Sequence, residues 1–169
     1  MLSQCSVFLI DLTCVTSSVE CLDLLVSSGA NFQLHDAQYR IPLHYAAAQG
    51  QFPCVFTLVG IGSEVNKQDV DGCTPLHQAA AQDLEGRCVE YLLQHKADPR
   101  IRDHQGYTAI HYAVAGGNQT GLEFLLAAVG SYFNLSGDDM PKMTPLHLAV
   151  SRQGKCSTTQ LLVPRQPFH

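Results

Sequence analysis

Histidine and cysteine are the side chains of this sequence best suited to chemistry, and both recur at a fixed spacing. His44, His77, His111 and His147 stand 33, 34 and 36 residues apart, while Cys21, Cys54 and Cys88 stand 33 and 34 apart. Asp36, Asp69, Asp103 and Asp139 each lie eight residues ahead of one of these histidines. Imidazole and thiolate could share a zinc ion, and an Asp–His pair could move a proton. Recurrence of the whole set at one period points elsewhere, to units that cannot bury their apolar faces alone and stack on copies of themselves. Equivalent helices in such stacks pack about 8–10 Å apart. A shared zinc needs ligands within about 2.0–2.3 Å of one ion, and a disulfide needs Cα atoms within about 7 Å. The columns therefore read as histidines that hydrogen-bond loop backbone between units and cysteines that serve as small buried hydrophobes. No metal or cofactor is expected. Cys5, Cys14 and Cys156 stand outside these columns and read as inert lone thiols. No nucleophile, base and oxyanion donor assemble, and no phosphate-cradling glycine loop is present, so no catalytic residue is expected. An enzyme or metal protein built on the repeated His and Cys is the alternative reading.

The elements that position these residues follow from each unit's own chemistry. In Asp69-Val70-Asp71-Gly72-Cys73-Thr74-Pro75-Leu76-His77 the Asp and Gly supply a tight turn with one residue at positive φ, which projects as a finger. Thr74 then reads as an N-cap whose hydroxyl accepts a backbone N–H, and Pro75 takes the first helical position, where its missing donor is no loss. Thr108 and His111, and Thr144, Pro145 and His147, repeat that start. Small residues follow on one face, Ala79 and Ala80 here and Ala46 and Ala47 one unit earlier, letting a neighbouring helix approach. Gly50 or Gly117 stops the helix. A second helix carries Cys88, Val89, Leu92 and Leu93 as one buried stripe, and Ala97-Asp98-Pro99 leads to the next finger.

These residues resemble the ankyrin repeat, whose signature of Asp, turn Gly, Thr-Pro-Leu-His, Ala-Ala, Leu-Leu and Gly-Ala-Asp/Asn is met in several copies over roughly residues 17–150. The resemblance implies an all-α solenoid of helix-turn-helix units with β-turn fingers, about four to five repeats with degenerate ends. The expected units are 1–35, 36–68, 69–102, 103–137 and 138–163, with a disordered tail over 164–169. It also implies a non-catalytic scaffold that offers finger tips and the exposed face of each first helix as one concave surface for a protein partner. By position those residues are Gln38, Tyr39, Arg40, Asp71, Cys73, Gln105 and Tyr107 on the fingers, with Tyr45, Gln49, Gln78, Gln82 and Tyr112 on the helices. Cys73 to His77, Cys88 to Leu93, Ile101 to Tyr107 and Ile110 to Tyr112, with a one-residue insertion near Glu85-Gly86, are further similar to the regulatory ankyrin subunits of protein phosphatase 6. Those are longer arrays, so the resemblance implies a fragment, a short isoform or a divergent relative, and a phosphatase complex as partner. Leu58, Glu64 and Val65, at minus eight, minus two and minus one from Asn66, resemble the pattern modified in ankyrin repeats by a 2-oxoglutarate-dependent asparaginyl hydroxylase. Asn66 is the expected modification site.

Departures from the pattern mark the weak units. Ile41 stands in place of a capping Thr, a loss of about 0.5–2 kcal/mol unless a neighbour supplies an acceptor. Tyr39 occupies the turn-Gly slot, so a changed turn type is expected there. Phe8 to Asp11 occupy the register of Thr-Pro-Leu-His as a degenerate first helix. Leu161 and Leu162 fall in phase for a last second helix, which Pro164 and Pro167 end. Neither terminus carries a polar capping repeat.

Bulk composition narrows the partner. The 169 residues are 46% hydrophobic and 15% charged with a formal net charge of −5, enough for one domain with a continuous core. Ten scattered Lys and Arg form no basic stripe for a phosphate backbone, so nucleic acid is not expected. No apolar run reaches the roughly 18 residues of a membrane span. The start lacks a positive leader and a small-residue cleavage site, giving an expected cytoplasmic location with the nucleus also open. Asn118-Gln119-Thr120 and Asn134-Leu135-Ser136 match the glycosylation triplet but are expected to stay unmodified.

Overall fold

The computed structural model describes residues 19–130 and 144–151. Within them lie eight helices and no strand: α1 Val19–Ser27, α2 Pro42–Ala48, α3 Phe52–Gly60, α4 Pro75–Gln82, α5 Arg87–Gln94, α6 Ala109–Gly116, α7 Gln119–Val129 and α8 Pro145–Ser151. First helices α2, α4, α6 and α8 pack in one row and second helices α1, α3, α5 and α7 in another, with hairpin partners α2/α3, α4/α5 and α6/α7 joining the rows. The described residues thus form an all-helical solenoid. The readings made for residues 1–18 and 152–169, together with Asp139 and the Asn134 triplet, lie outside the described residues.

Each finger is set by one carboxylate. Asp69 Oδ1 accepts the N–H groups of Asp71 and Cys73 at 3.0 and 2.8 Å, and Asp103 Oδ1 accepts those of Gln105 and Tyr107 at 2.9 and 2.8 Å. Asp36 Oδ1 does the same for Gln38 and Arg40 at 2.8 and 2.9 Å. This explains a departure from the expected change of turn at Tyr39. The residue keeps the turn of its glycine counterparts, at φ 59° against 80° and 85° for Gly72 and Gly106, and its N–H reaches Asp36 O at 3.0 Å as theirs reach Asp69 O and Asp103 O. A left-handed non-glycine residue costs about 1–2 kcal/mol. The turn's hydrogen bonds, together with stacking of the Tyr39 ring on His35 at 4.5 Å between centroids, outweigh it.

Thr144 Oγ1 accepts the His147 N–H at 3.4 Å as expected of a Thr cap, but two other helix starts differ from it in a related way. At Thr74 and Thr108 the hydroxyl makes no cap bond to a backbone N–H; it lies 2.9 and 3.0 Å from Nδ1 of His77 and His111. The imidazole does the capping, since Nδ1 accepts the N–H of Thr74 and of Thr108 at 3.1 Å each. His44 Nδ1 accepts the N–H of Ile41 at 3.2 Å in the same manner. Replacing Thr by Ile at position 41 therefore leaves the cap in place, and the Ile41 side chain is buried.

Packing follows the repeat. Leu22, Val55, Val89 and Leu122 form one fully buried column across the second helices, and Ala46, Ala47, Ala79, Ala80 and Ala113 line the close contacts of the first helices. At Gly116 the approach of α6 to α4 is so tight that a Cβ would overlap the Ala81 carbonyl. Of the cysteine column, Cys54 and Cys88 are fully buried. Cys21 is not: it is exposed on α1, which has α3 on one side and no earlier helix of the described residues on the other.

Candidate functional site

The histidine column lies between units. His44 Nε2 is 3.2 Å from Cys73 O and His77 Nε2 is 3.3 Å from Tyr107 O. A carbonyl can only accept, so the proton sits on Nε2, which donates, and Nδ1 is left free to accept the capping N–H. Both ring nitrogens are thus engaged with backbone. Burial pushes the pKa of His44 and His77 below the usual histidine value, against the opposing pull of those carbonyls. Burial likewise lowers His111 to about 4. His111 Nε2 has no partner among the described residues. His147 is exposed, with Thr144 Oγ1 2.7 Å from its Nδ1, while Pro145 beside it is buried.

Two of the buried thiols are held in the neutral form. Burial raises Cys88 to about 12 and Cys73 to about 11. Cys73 Sγ lies 3.1 Å from the hydroxyl of Tyr112, which donates to Asp103 Oδ2 at 2.9 Å. Among the described residues no three His, Cys, Asp or Glu side chains converge as metal ligands, and no helix is long and apolar enough to cross a membrane.

The finger and first-helix residues divide by exposure. Gln38, Tyr39, Asp71, Gln105, Gln49 and Gln82 are exposed, and Arg40, Tyr45, Gln78, Tyr107 and Tyr112 are half-buried. Cys73 is buried, which removes it from any contact surface: the last finger residue tucks beneath Tyr112. Two half-buried tyrosines are also tied down, since Tyr45 donates to Asp36 Oδ2 at 2.7 Å much as Tyr112 does to Asp103. Arg40 donates to the same Asp36 oxygen at 2.9 Å and lies 4.6 Å above the Tyr45 ring. Burial alone would raise the Asp36 carboxyl, but the bonds from Tyr45, Arg40 and Gln38 together hold it below the ordinary carboxylate value.

Adjacent fingers are zipped through their backbones. Val70 N–H donates to Gln38 O at 3.0 Å, and His104 N–H donates to Asp71 O at 2.9 Å. The loops behind them are bridged by side chains: Gln33 Nε2 reaches Gly62 O at 2.9 Å and Asn66 Nδ2 reaches Lys96 O at 3.0 Å, with Asn66 Oδ1 accepting Asp98 N–H at 2.8 Å. This makes the exposed tips a preordered array, which lowers the entropy lost on binding.

Two polar groups that sequence reasoning passed over hold the hairpin turns. Asn118, fully buried, donates to Ala80 O at 3.0 Å and accepts Gly121 N–H at 2.7 Å, which closes its glycosylation triplet to any enzyme in the folded chain. Asp83, also buried, accepts the N–H of Cys88. Asn118 directly ahead of α7 and Asp83 directly after α4 were the available signals.

A family model described as ankyrin repeats, in three copies, matches residues 43–136 and 86–168.

Proposed function

Because the chain belongs to the ankyrin-repeat family, whose repeats serve as protein-binding modules, we propose that it is a non-catalytic scaffold that holds a protein partner on its finger tips and first helices. The observation that carries this is the exposed set Gln38, Tyr39, Asp71 and Gln105, continued onto Gln49 and Gln82, on backbones locked by Asp36, Asp69 and Asp103. Tyr39 supplies the large rigid anchor that interfaces favour. It is 54% exposed and holds a left-handed backbone that glycine holds in the next two fingers.

The finer reading is a regulatory or substrate-recognition subunit of a serine/threonine phosphatase complex, supported by the segments Cys73 to His77, Cys88 to Leu93, Ile101 to Tyr107 and Ile110 to Tyr112. Affinity purification from cell lysate followed by mass spectrometry tests it. Recovery of phosphatase catalytic subunits is expected, and their absence from a capture that retains other proteins would refute the phosphatase assignment while leaving the scaffold. The variant Tyr39→Gly removes the ring without disturbing the turn. Unchanged capture by that variant combined with Gln105→Ala would count against the fingers as the contact surface.

A further inference from the structure

The outer row of second helices carries two departures from the repeat that meet at one place. Burial aligns the helices: Leu22, Val55, Val89 and Leu122 are all 0% exposed. The next residue in each helix points outward, and in order these are Asp23, Phe56, Glu90 and Glu123, all exposed. Three units place a carboxylate there and one places a phenyl ring, 54% exposed. The second departure is in the hairpin turns. Eleven residues separate His77 from Cys88 where ten separate His44 from Cys54, and the longer turn holds out Leu84, 63% exposed. Between the two turns lies a cleft of about 310 Å³ lined by Phe52, Pro53, Leu84 and Arg87 among others. The Phe52 ring joins the two features, since it lines the cleft and sits 6.2 Å from Phe56 and 5.7 Å from Tyr91.

Exposed apolar side chains beside a cleft, rimmed by charge, are the form of a contact site. The charge selects the occupant. Asp23, Glu90 and Glu123 form no ion pair among the described residues, and the nearby Arg87 is already held by Glu85 at 3.1 Å. Such a row repels phosphate, so neither nucleic acid nor an anionic lipid surface fits it, whereas Lys and Arg side chains do. Packed helices lie about 8–10 Å apart, and an extended chain in the polyproline-II form advances about 3.1 Å per residue with three residues per turn, so every third side chain faces the row and meets a new unit. We propose that this outer face docks an extended basic segment of a partner protein. An apolar side chain of that segment sits on Phe56 and reaches along Phe52 toward Leu84, with basic residues three positions to either side opposite Asp23 and Glu90, and a further one opposite Glu123. This surface is separate from the fingers and first helices.

The test is fluorescence polarisation of a labelled decapeptide, Lys-Ser-Gly-Phe-Ser-Gly-Lys-Ser-Gly-Lys, titrated with the full 169-residue chain. Saturable binding is expected, weaker by at least fivefold when the Phe is moved two positions along the peptide. The deciding variant is Phe56→Glu, which gives the unit the residue type its neighbours carry, so the fold is retained. A purely electrostatic attraction would strengthen with the added charge, whereas the anchored mode weakens at least fivefold. Glu90→Lys should also weaken binding at least fivefold. Absence of saturable binding, insensitivity to the position of the Phe, or binding by Phe56→Glu within fivefold of the parent or tighter each overturns the proposal.

Discussion

Truncating His77 to Ala removes the group that both caps α4 and ties it to the next finger. Thr74 is fully buried and its N–H donates to Nδ1, so its loss leaves a buried donor unpaired, a cost of about 1–3 kcal/mol. The Nε2–H bond to Tyr107 O is worth less, about 0.5–1.5 kcal/mol, because that carbonyl keeps the Asp103 N–H at 2.9 Å. The ring also meets Tyr112 edge to face at 5.2 Å, adding about 0.5–1.5 kcal/mol. The sum centres near 3–4 kcal/mol, equivalent to a fall of about 6–16 °C in Tm for a chain of this size. Urea titration and thermal melting followed by circular dichroism would measure it. His147→Ala serves as the contrast, for this histidine has the same place in its unit but is exposed, so a change under about 1 kcal/mol is expected. A loss below about 1 kcal/mol for His77→Ala, or equal losses for the two variants, would refute the claim that burial and paired ring nitrogens make the histidine a strut.

Four further outcomes follow from the same geometry. Burial lowers His44, His77 and His111, so the folded chain resists protons that the unfolded chain takes up near pH 6.5; this stability is intact above that value and lost as pH falls toward the His111 value of about 4. His111 alone should remove about 2 kcal/mol between pH 7.5 and 5, and denaturant midpoints that do not fall over this interval would contradict it. Gly116→Ala should destabilise by about 1–3 kcal/mol through overlap with the Ala81 carbonyl, read as a lowered urea midpoint. Lys96, at φ 68°, occupies the slot that Gly62 fills one unit earlier; Lys96→Gly should raise stability by about 1 kcal/mol in the same titration. Incubation with the asparaginyl hydroxylase should add one oxygen at Asn66 and more readily under mild denaturant, because the bonds to Lys96 O and Asp98 N–H must open first; intact and peptide mass spectrometry would detect none, or a different site, if the reading is wrong.

The period of His44, His77, His111 and His147 was enough to read a stacked helical fold, because a residue that repeats with its neighbours is a residue the stack needs. What single-residue rules could not supply was the network around each position. Tyr39 was read against its own φ preference, but the Asp36 carboxylate and Arg40 backbone fix the turn whatever side chain sits there. Thr74 was read as accepting a helix N–H through its hydroxyl because hydroxyls usually do, while that hydroxyl lies against the His77 imidazole, which takes Thr74's own N–H. Cys73 was placed at the surface by its finger position and is covered by Tyr112, 39 residues away in sequence. Cys21 shares a column with Cys54 and Cys88, yet burial depends on a covering neighbour as well as on register. Phe56 and Leu84 escaped notice because attention to what recurs passes over what departs.

The central claim, a scaffold that binds through its fingers and first helices, is tested most directly by hydrogen exchange on the chain bound to a captured partner. New protection is expected at the amides around residues 38–40, 71 and 105 and toward Gln49 and Gln82, with turnover of no substrate required for binding. Protection that leaves the fingers and first helices unchanged would contradict it.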